Sequence, residues 1–269
     1  MITERELRRI AGRIKLGIGQ AEQEYVILCV LDALAGTLPL AETFCLKGGT
    51  ALRQLYFADW RYSVDLDFSV LPAFVAERLQ SSLLMWFEQV ERLHGVQIAL
   101  ADLHRANGAA RVRARFVGPL RHPSPLFLDV TLDEPVLLSP QRRPVLAGMF
   151  ENPRPIVLCY ALEEILAEKL RSILQRGKAR DYYDVWRLLR EKAGAFDREV
   201  TRGILSEKCR HKGLPEPTAG AFLSPIVLDA AAAYWSQDLI GHVPDKELPA
   251  WQTVMTELRQ LLADFLFPR

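Results

Sequence analysis

The stretch RYSVDLDFSV constrains the architecture of this chain more than any other, because apolar and polar residues alternate through it from Val64 to Val70. Side chains of a β-strand point alternately to opposite faces, so Val64, Leu66, Phe68 and Val70 share one face while Asp65 and Asp67 share the other. The apolar face demands a packed core behind it. Two carboxylates on the opposite face repel each other unless solvent or a cation neutralises them, and a hard ion such as Mg²⁺ suits oxygen ligands. A half-exposed strand whose polar face simply carries aspartates would read the same way, so the pair needs support from elsewhere in the chain.

A second stretch, PLFLDVTLD, has the same construction. Leu126, Leu128, Val130 and Leu132 form its apolar face and leave Asp129 on the other, beside Phe127 and Thr131. If the two strands are neighbours, Asp129 completes a set of three carboxylates; Asp133 is a rival on the same face, about 13 Å further along. Three carboxylates around metal ions suit phosphoryl or nucleotidyl transfer, in which ions clamp the attacking and leaving oxygens and a carboxylate takes the hydroxyl proton. Upstream, LKGGTAL sets Gly48 and Gly49 between a short strand and a helix start, where backbone without Cβ can approach an anion closely. Thr50 adds a hydroxyl at the expected N-cap. Plain turn chemistry accounts for a lone glycine pair, but a phosphate seat just before a metal-binding strand would bring triphosphate and metal together.

The rest of the first half reads as mixed α and β structure. Helices are expected over residues 4–15, 20–35 and 72–93, and strands over 44–46, 62–70, 96–100, 110–117 and 126–132. Beyond a Pro-containing stretch at 134–155 the pattern becomes helical, with helices over 161–175, 181–192, 198–209, 226–235 and 249–265. The expectation is an α+β chain of two domains, 1–150 and 151–269. At 269 residues with 49% hydrophobic content it can bury a substantial core. Thirty-four basic against 33 acidic residues leave a net charge of +1, so nucleic-acid contact would have to come from local basic patches. The four cysteines form no CxxC pair and three lie in apolar runs, which fits reduced thiols and a cytoplasmic protein. No stretch has the length of a membrane span or the apolar core of a signal peptide.

In the helical half, ALEEILAEKLRSILQR places Leu162, Ile165, Leu166 and Ile173 on one stripe with Lys169 near its centre, and Arg176 on the same side. A lysine there needs an anion, either a phosphate or a carboxylate such as Asp181 or Asp184; snorkelling at the stripe's edge is the other reading. Asp181 and Asp184 lie one turn apart in RDYYDVWRLL, where Asp181 can serve the helix dipole or orient the nearby cations. RVRARF puts Arg111, Arg113 and Arg115 on one strand face, suited to a nucleic-acid backbone or a triphosphate, or simply to an exposed edge. The five histidines show no ligand spacing.

KGGTAL, RYSVDLDF, the strand ending in LDVT, LEEILAEKLRSILQR and RDYYDVWRLL, in this order, resemble the AbiEii family of nucleotidyltransferases, which includes the MenT toxins. The resemblance covers about residues 44–190. It implies a DNA polymerase β-like nucleotidyltransferase core, a mixed sheet with helices, followed by a helical C-terminal domain that contributes Lys169 and Asp181 to the site. Gly48, Gly49 and Thr50 or Ser63 would contact the triphosphate, Asp65 and Asp67 would bind Mg²⁺, Lys169 would hold phosphate, and Ser63 matches a serine that some members modify. Asp129 draws its support from the strand pattern more than from the family motif. The family implies a toxin that transfers a nucleotide to a tRNA acceptor end and is neutralised by a cognate AbiEi-type antitoxin. The Gly-Gly-Thr turn, where many relatives of the wider fold have Gly-Ser, argues against an aminoglycoside-modifying or polymerase-like member.

The expectation is therefore a Mg²⁺-dependent nucleotidyltransferase with Asp65, Asp67, Asp129, Lys169 and Asp181 as its catalytic residues. Gly48, Gly49, Thr50, Ser63, Lys169 and Arg176 would face the nucleoside triphosphate. Two alternatives stand beside it: a non-catalytic nucleotide- or antitoxin-binding module of the same fold, and a DxD glycosyltransferase using a nucleotide sugar. The second has no particular use for the glycine turn or for Lys169.

Overall fold

The computed structural model describes residues 1–243 and 248–266, and it divides into two compact units, Met1–Tyr160 and Ala161–Arg269. The strands of the first unit are β1 (Phe44–Lys47), β2 (Asp65–Val70), β3 (Gln97–Ala106), β4 (Ala109–Val117), β5 (Pro123–Thr131), β6 (Gln141–Pro144) and β7 (Ile156–Cys159). They make one mixed sheet in the order β3-β4-β5-β2-β1-β7-β6. β2 runs antiparallel to β1 and parallel to β5, while β4 is antiparallel to β5. β7 joins parallel to β1. The first unit therefore runs to Tyr160, past the boundary expected near residue 150. The short strands β6 and β7 lie within and just after the Pro-containing stretch at 134–155, where no strand was expected.

The apolar face of the sheet is covered by two helices, α2 (Ile18–Ala35) and α5 (Leu79–His94). Helix α2 is apolar from Tyr25 to Leu31 and buries residues on every side, Glu22 and Glu24 among them. α5 starts after a short 3-10 turn, Ala76–Arg78, and stops at Gly95, whose left-handed φ of 68° closes the last turn. Trp86 of α5 reaches the sheet, with ring centroids 5.8 Å from Phe68 and 6.2 Å from Phe44, and its indole N–H donates to the Val30 carbonyl at 2.9 Å. Leu66, Phe68, Val112, Phe116, Leu128 and Val130 complete that buried face, so the alternation in β2, β4 and β5 is the alternation of a sheet with one dry side.

Two further helices precede the sheet's central strands: α1 (Glu4–Arg13), held by a Thr3 and Glu6 capping box, and the single turn α3 (Leu40–Thr43). Another single turn, α4 (Gly48–Ala51), follows β1 and continues into the π-helical turn Leu52–Tyr56. Edge strand β3 extends to Ala106, beyond the strand expected to stop at Leu100, with an irregular register between Leu100 and Asp102. β2 starts at Asp65 rather than at Tyr62.

The second unit consists of α6 (Leu162–Arg176), α7 (Ala179–Glu191), α8 (Arg198–His211), α9 (Pro225–Leu239) and α10 (Trp251–Leu266) with short 3-10 turns between. Rings from three helices meet in its core: Trp251 stands 5.5 Å from Tyr182 and 5.0 Å from Trp235. Between α6 and α8 a fully buried ion pair joins Glu164 to Lys208 at 2.9 Å. Among the described residues no helix is long and apolar enough to cross a membrane, and all four cysteines are buried.

Trp86 is the test of this packing. Trp86→Ala removes a buried indole and leaves the Val30 carbonyl without its donor, so chemical denaturation should show a loss of about 3–5 kcal/mol.

Candidate active site

The register of the central strands assembles a row of charged side chains on the face opposite the core. Lys47 is the Cα partner of Asp67 across β1 and β2, and Asp67 is the partner of Asp129 across β2 and β5. Asp129 is in turn the partner of Arg111 across β5 and β4. Directly opposed residues of paired strands project to the same face, so Lys47, Asp67, Asp129 and Arg111 form one transverse row. Asp65, two residues before Asp67, lies on that face as well. The expected neighbourhood of the two aspartate strands is what the sheet contains.

The glycine turn and the aspartate strand are locked together at three points. Gly48 has φ of +71°, the left-handed region that favours glycine, and a Cβ there would overlap the Asp67 carboxylate. A Cβ at Gly49 would stand 3.1 Å from both Ser63 Oγ and the Arg61 guanidinium. The Thr50 hydroxyl donates to the Asp65 carbonyl at 2.6 Å. Thr50 thus differs from its expected place: Lys47 occupies the N-cap of α4, and the buried Thr50 hydroxyl ties the turn to β2. That hydrogen bond commits the Thr50 proton to the Asp65 carbonyl.

Beyond the carboxylates the face is polar but enclosed. The buried Lys47 ammonium donates to Thr131 Oγ1 at 3.2 Å and lies 5.5 Å from the Tyr160 ring centroid. Tyr160 donates its hydroxyl to Ser69 Oγ at 2.7 Å. Towards β4 the same face opens to solvent, where Arg111, Arg113 and Arg115 are exposed.

Asp129 is engaged within the protein. Arg111 grips it in a two-pronged pair, Nε to Oδ1 at 2.8 Å and Nη2 to Oδ2 at 2.9 Å. The hydrogen bonding and charge of Asp129 raise the Arg111 pKa, and the nearby charges of Asp65 and Asp67 add to the effect. The donor set suits a hard cation: carboxylates from two adjacent strands on one face, with Asp67 and Asp129 directly opposed. As the side chains stand, no three metal-binding groups converge among the described residues, and both Asp129 oxygens are bonded to Arg111. Asp65 and Asp67 are half-buried and lie beside the glycine turn.

Lys169, Arg176, Asp181 and Asp184 belong to the second unit, where they form one ion-pair cluster. Lys169 Nζ lies 3.0 Å from Asp184 and 3.4 Å from Asp181, and Arg176 Nε lies 3.0 Å from Asp181. Asp184 is fully buried and Asp181 nearly so, whereas the Arg176 side chain is 53% exposed. Burial works to raise the Asp181 pKa, but the Lys169 and Arg176 charges outweigh it and hold the carboxyl below its usual value. The lysine in the middle of an apolar stripe is thus answered by two aspartates from α7. Asp133 sits by the turn between β3 and β4, against Gly108, and Asp129 is the residue opposed to Asp67.

Three residues of this region had no assigned role in the sequence reading: Lys47, Arg61 and Arg111 as the partner of Asp129. Lys47 and Arg61 stand inside the motifs KGGTAL and RYSVDLDF. Strand register sets Lys47 opposite Asp67 and Arg111 opposite Asp129, and Arg61 is marked by its approach to Gly49; each contact joins residues apart in the chain and is not written in either segment alone.

A family model described as nucleotidyl transferase AbiEii toxin, type IV toxin–antitoxin system, matches residues 30–257 of the chain. Among solved structures, the chain is similar to MenT4, a nucleotidyltransferase toxin from Mycobacterium tuberculosis H37Rv. The TM-score is 0.71 at 17% identity, over 100% of this chain and 91% of that one. A comparison with curated protein sequences finds no match.

Two substitutions test the geometry. Gly48→Ala imposes about 1–2 kcal/mol of left-handed backbone strain and pushes on Asp67, so thermal denaturation should register lower stability even without a ligand. Lys169→Ala removes the cation that the buried Asp181 and Asp184 carboxylates share and should cost about 3–5 kcal/mol in denaturant unfolding. Because the folded Asp181 pKa is depressed, its contribution is complete above the ordinary aspartate value near 3.8 and is lost as pH falls through the folded value. A stability profile measured from neutral to acid pH should show that loss in the native chain and a smaller one in Lys169→Ala.

Proposed function

The chain belongs to the AbiEii family of nucleotidyltransferase toxins of type IV toxin–antitoxin systems, and on that premise we propose that its carboxylate row and glycine turn together transfer a nucleotide. The substrate is a nucleoside triphosphate, and the acceptor is a hydroxyl at the 3′ end of a tRNA. The observation that carries this reading is the interlock of Gly48 with Asp67, which sets a backbone seat suited to phosphate directly against a carboxylate suited to a cation.

Within the reaction, the acceptor oxygen forms a bond to the α-phosphorus, the bond from that phosphorus to the bridging oxygen breaks, and pyrophosphate leaves. Asp65 and Asp67, with Asp129 closing the set, are the residues that would hold Mg²⁺. The bound ion would neutralise charge gathering on the phosphate oxygens. Gly48 and Gly49 bring backbone close to the phosphates, and Ser63 lies at the same turn as a contact or modification point. An Asp129 carboxylate oxygen receives the proton of the acceptor hydroxyl. For the helical unit, we propose that Lys169 and Arg176 carry phosphate-directed charge, with Asp181 fixing their geometry. A cytoplasmic location and an AbiEi-type antitoxin complete the proposal.

The test is to incubate the protein with each labelled nucleoside triphosphate, Mg²⁺ and total RNA, and to follow label into RNA and pyrophosphate into solution. Native protein should label the tRNA fraction. Asp67→Asn should lower the rate about 10²- to 10³-fold, the scale for removing one preorganised electrostatic contact to a transition state. Full transfer by Asp67→Asn would refute the site. Triphosphate binding without turnover in the native chain would favour a non-catalytic module.

A further inference from the structure

Arg111 and Asp129 form a pair whose place in the fold is more informative than its strength. The Arg111 side chain is 67% exposed and that of Asp129 40% exposed, and ion pairs in such surroundings add little to stability. The pair nevertheless has fork geometry, with both guanidinium prongs on both carboxylate oxygens, and it sits on the carboxylate that opposes Asp67. Asp65 and Asp67 also act electrostatically on the same guanidinium. Arg111 thus supplies positive charge where three carboxylates share one face of the sheet.

We infer that Arg111 is an internal counter-ion for the carboxylate row: it holds Asp129 while no divalent cation is bound, releases it when one binds, and then passes its guanidinium to an oxygen of the incoming triphosphate. The guanidinium fork fits phosphate as it fits carboxylate, so the exchange keeps two charge-assisted hydrogen bonds at each stage. Arg113 and Arg115 are exposed on the same strand face and extend the positive field toward which the phosphates would lean. Arg111 is in this sense a positioning residue that couples metal entry to nucleotide entry. The inference rests on the metal-site reading of Asp65, Asp67 and Asp129.

The experiment is titration of the full chain with Mn²⁺ alone, read by electron paramagnetic resonance. It is followed by titration with a non-hydrolysable triphosphate at saturating Mn²⁺, read by calorimetry. Arg111→Ala should bind Mn²⁺ about fivefold tighter and the triphosphate about fivefold or more weaker. In the Asp129→Asn background, Arg111→Ala should tighten Mn²⁺ binding clearly less than it does alone, because the pair is already gone and only the weaker action of Arg111 on Asp65 and Asp67 remains to be removed. Unchanged or weaker Mn²⁺ binding by Arg111→Ala, tightening equally large in the Asp129→Asn background, or undiminished triphosphate binding would each overturn the inference. Asp67→Asn separates the two levels: native Mn²⁺ affinity in that variant would sink the metal-site reading itself, whatever Arg111 does. The thermal midpoint of Arg111→Ala should stay close to native, since Arg111 is exposed.

Discussion

The pairing of β2 between β1 and β5 governs the rest of the first unit. A slip of one residue would turn Leu66, Phe68 and Val70 to the open face and bury Asp65 and Asp67 against Trp86, so the hydrophobic core and the carboxylate row are fixed by a single register. That register places Lys47, Asp67, Asp129 and Arg111 side by side although they come from four strands spread from residue 44 to residue 131. It also brings Gly48 under the Asp67 carboxylate, where any side chain would collide. Packing on one side of the sheet thereby sets charge geometry on the other.

Charge is handled differently in the two units. In the helical unit Lys169, Asp181 and Asp184 are drawn out of water, and each must be answered by a partner within the cluster. Substituting any of them perturbs folding together with whatever chemistry it performs, so loss of activity there is ambiguous without a stability measurement beside it. On the sheet the carboxylates are half-buried or exposed, with Arg111 at the open end of the row. Exposed pairs exchange partners at little cost, which is what a site must do if it takes up and gives back ions and phosphates. The Arg111–Asp129 end of the sheet row is open in this sense.

Much of this was legible in the sequence because the period of a strand is two. Alternation in VDLDFSV and PLFLDVT gave both the buried and the open faces, and the amphipathic stripes gave the five long helices of the second unit to within a few residues. What escaped was set by contacts distant in sequence. β6 and β7 are too short and too close to prolines to announce themselves, yet β7 lies against β1 and carries the first unit on to Tyr160. Thr50 read as an N-cap because hydroxyls favour that place, whereas its partner is the carbonyl of Asp65 on the next strand. The arginines of RVRARF read as a ladder, and only the β4 to β5 register shows that the first of them answers Asp129.

Cation and triphosphate are proposed to meet on one face of the sheet, at the Gly48 turn. Anomalous scattering from Mn²⁺ in crystals grown with a non-hydrolysable nucleoside triphosphate measures this directly. A peak is expected within about 2.5 Å of carboxylate oxygens of both Asp65 and Asp67, with phosphate density against the backbone of Gly48 and Gly49. A well-occupied Mn²⁺–triphosphate complex bound away from these residues would contradict it.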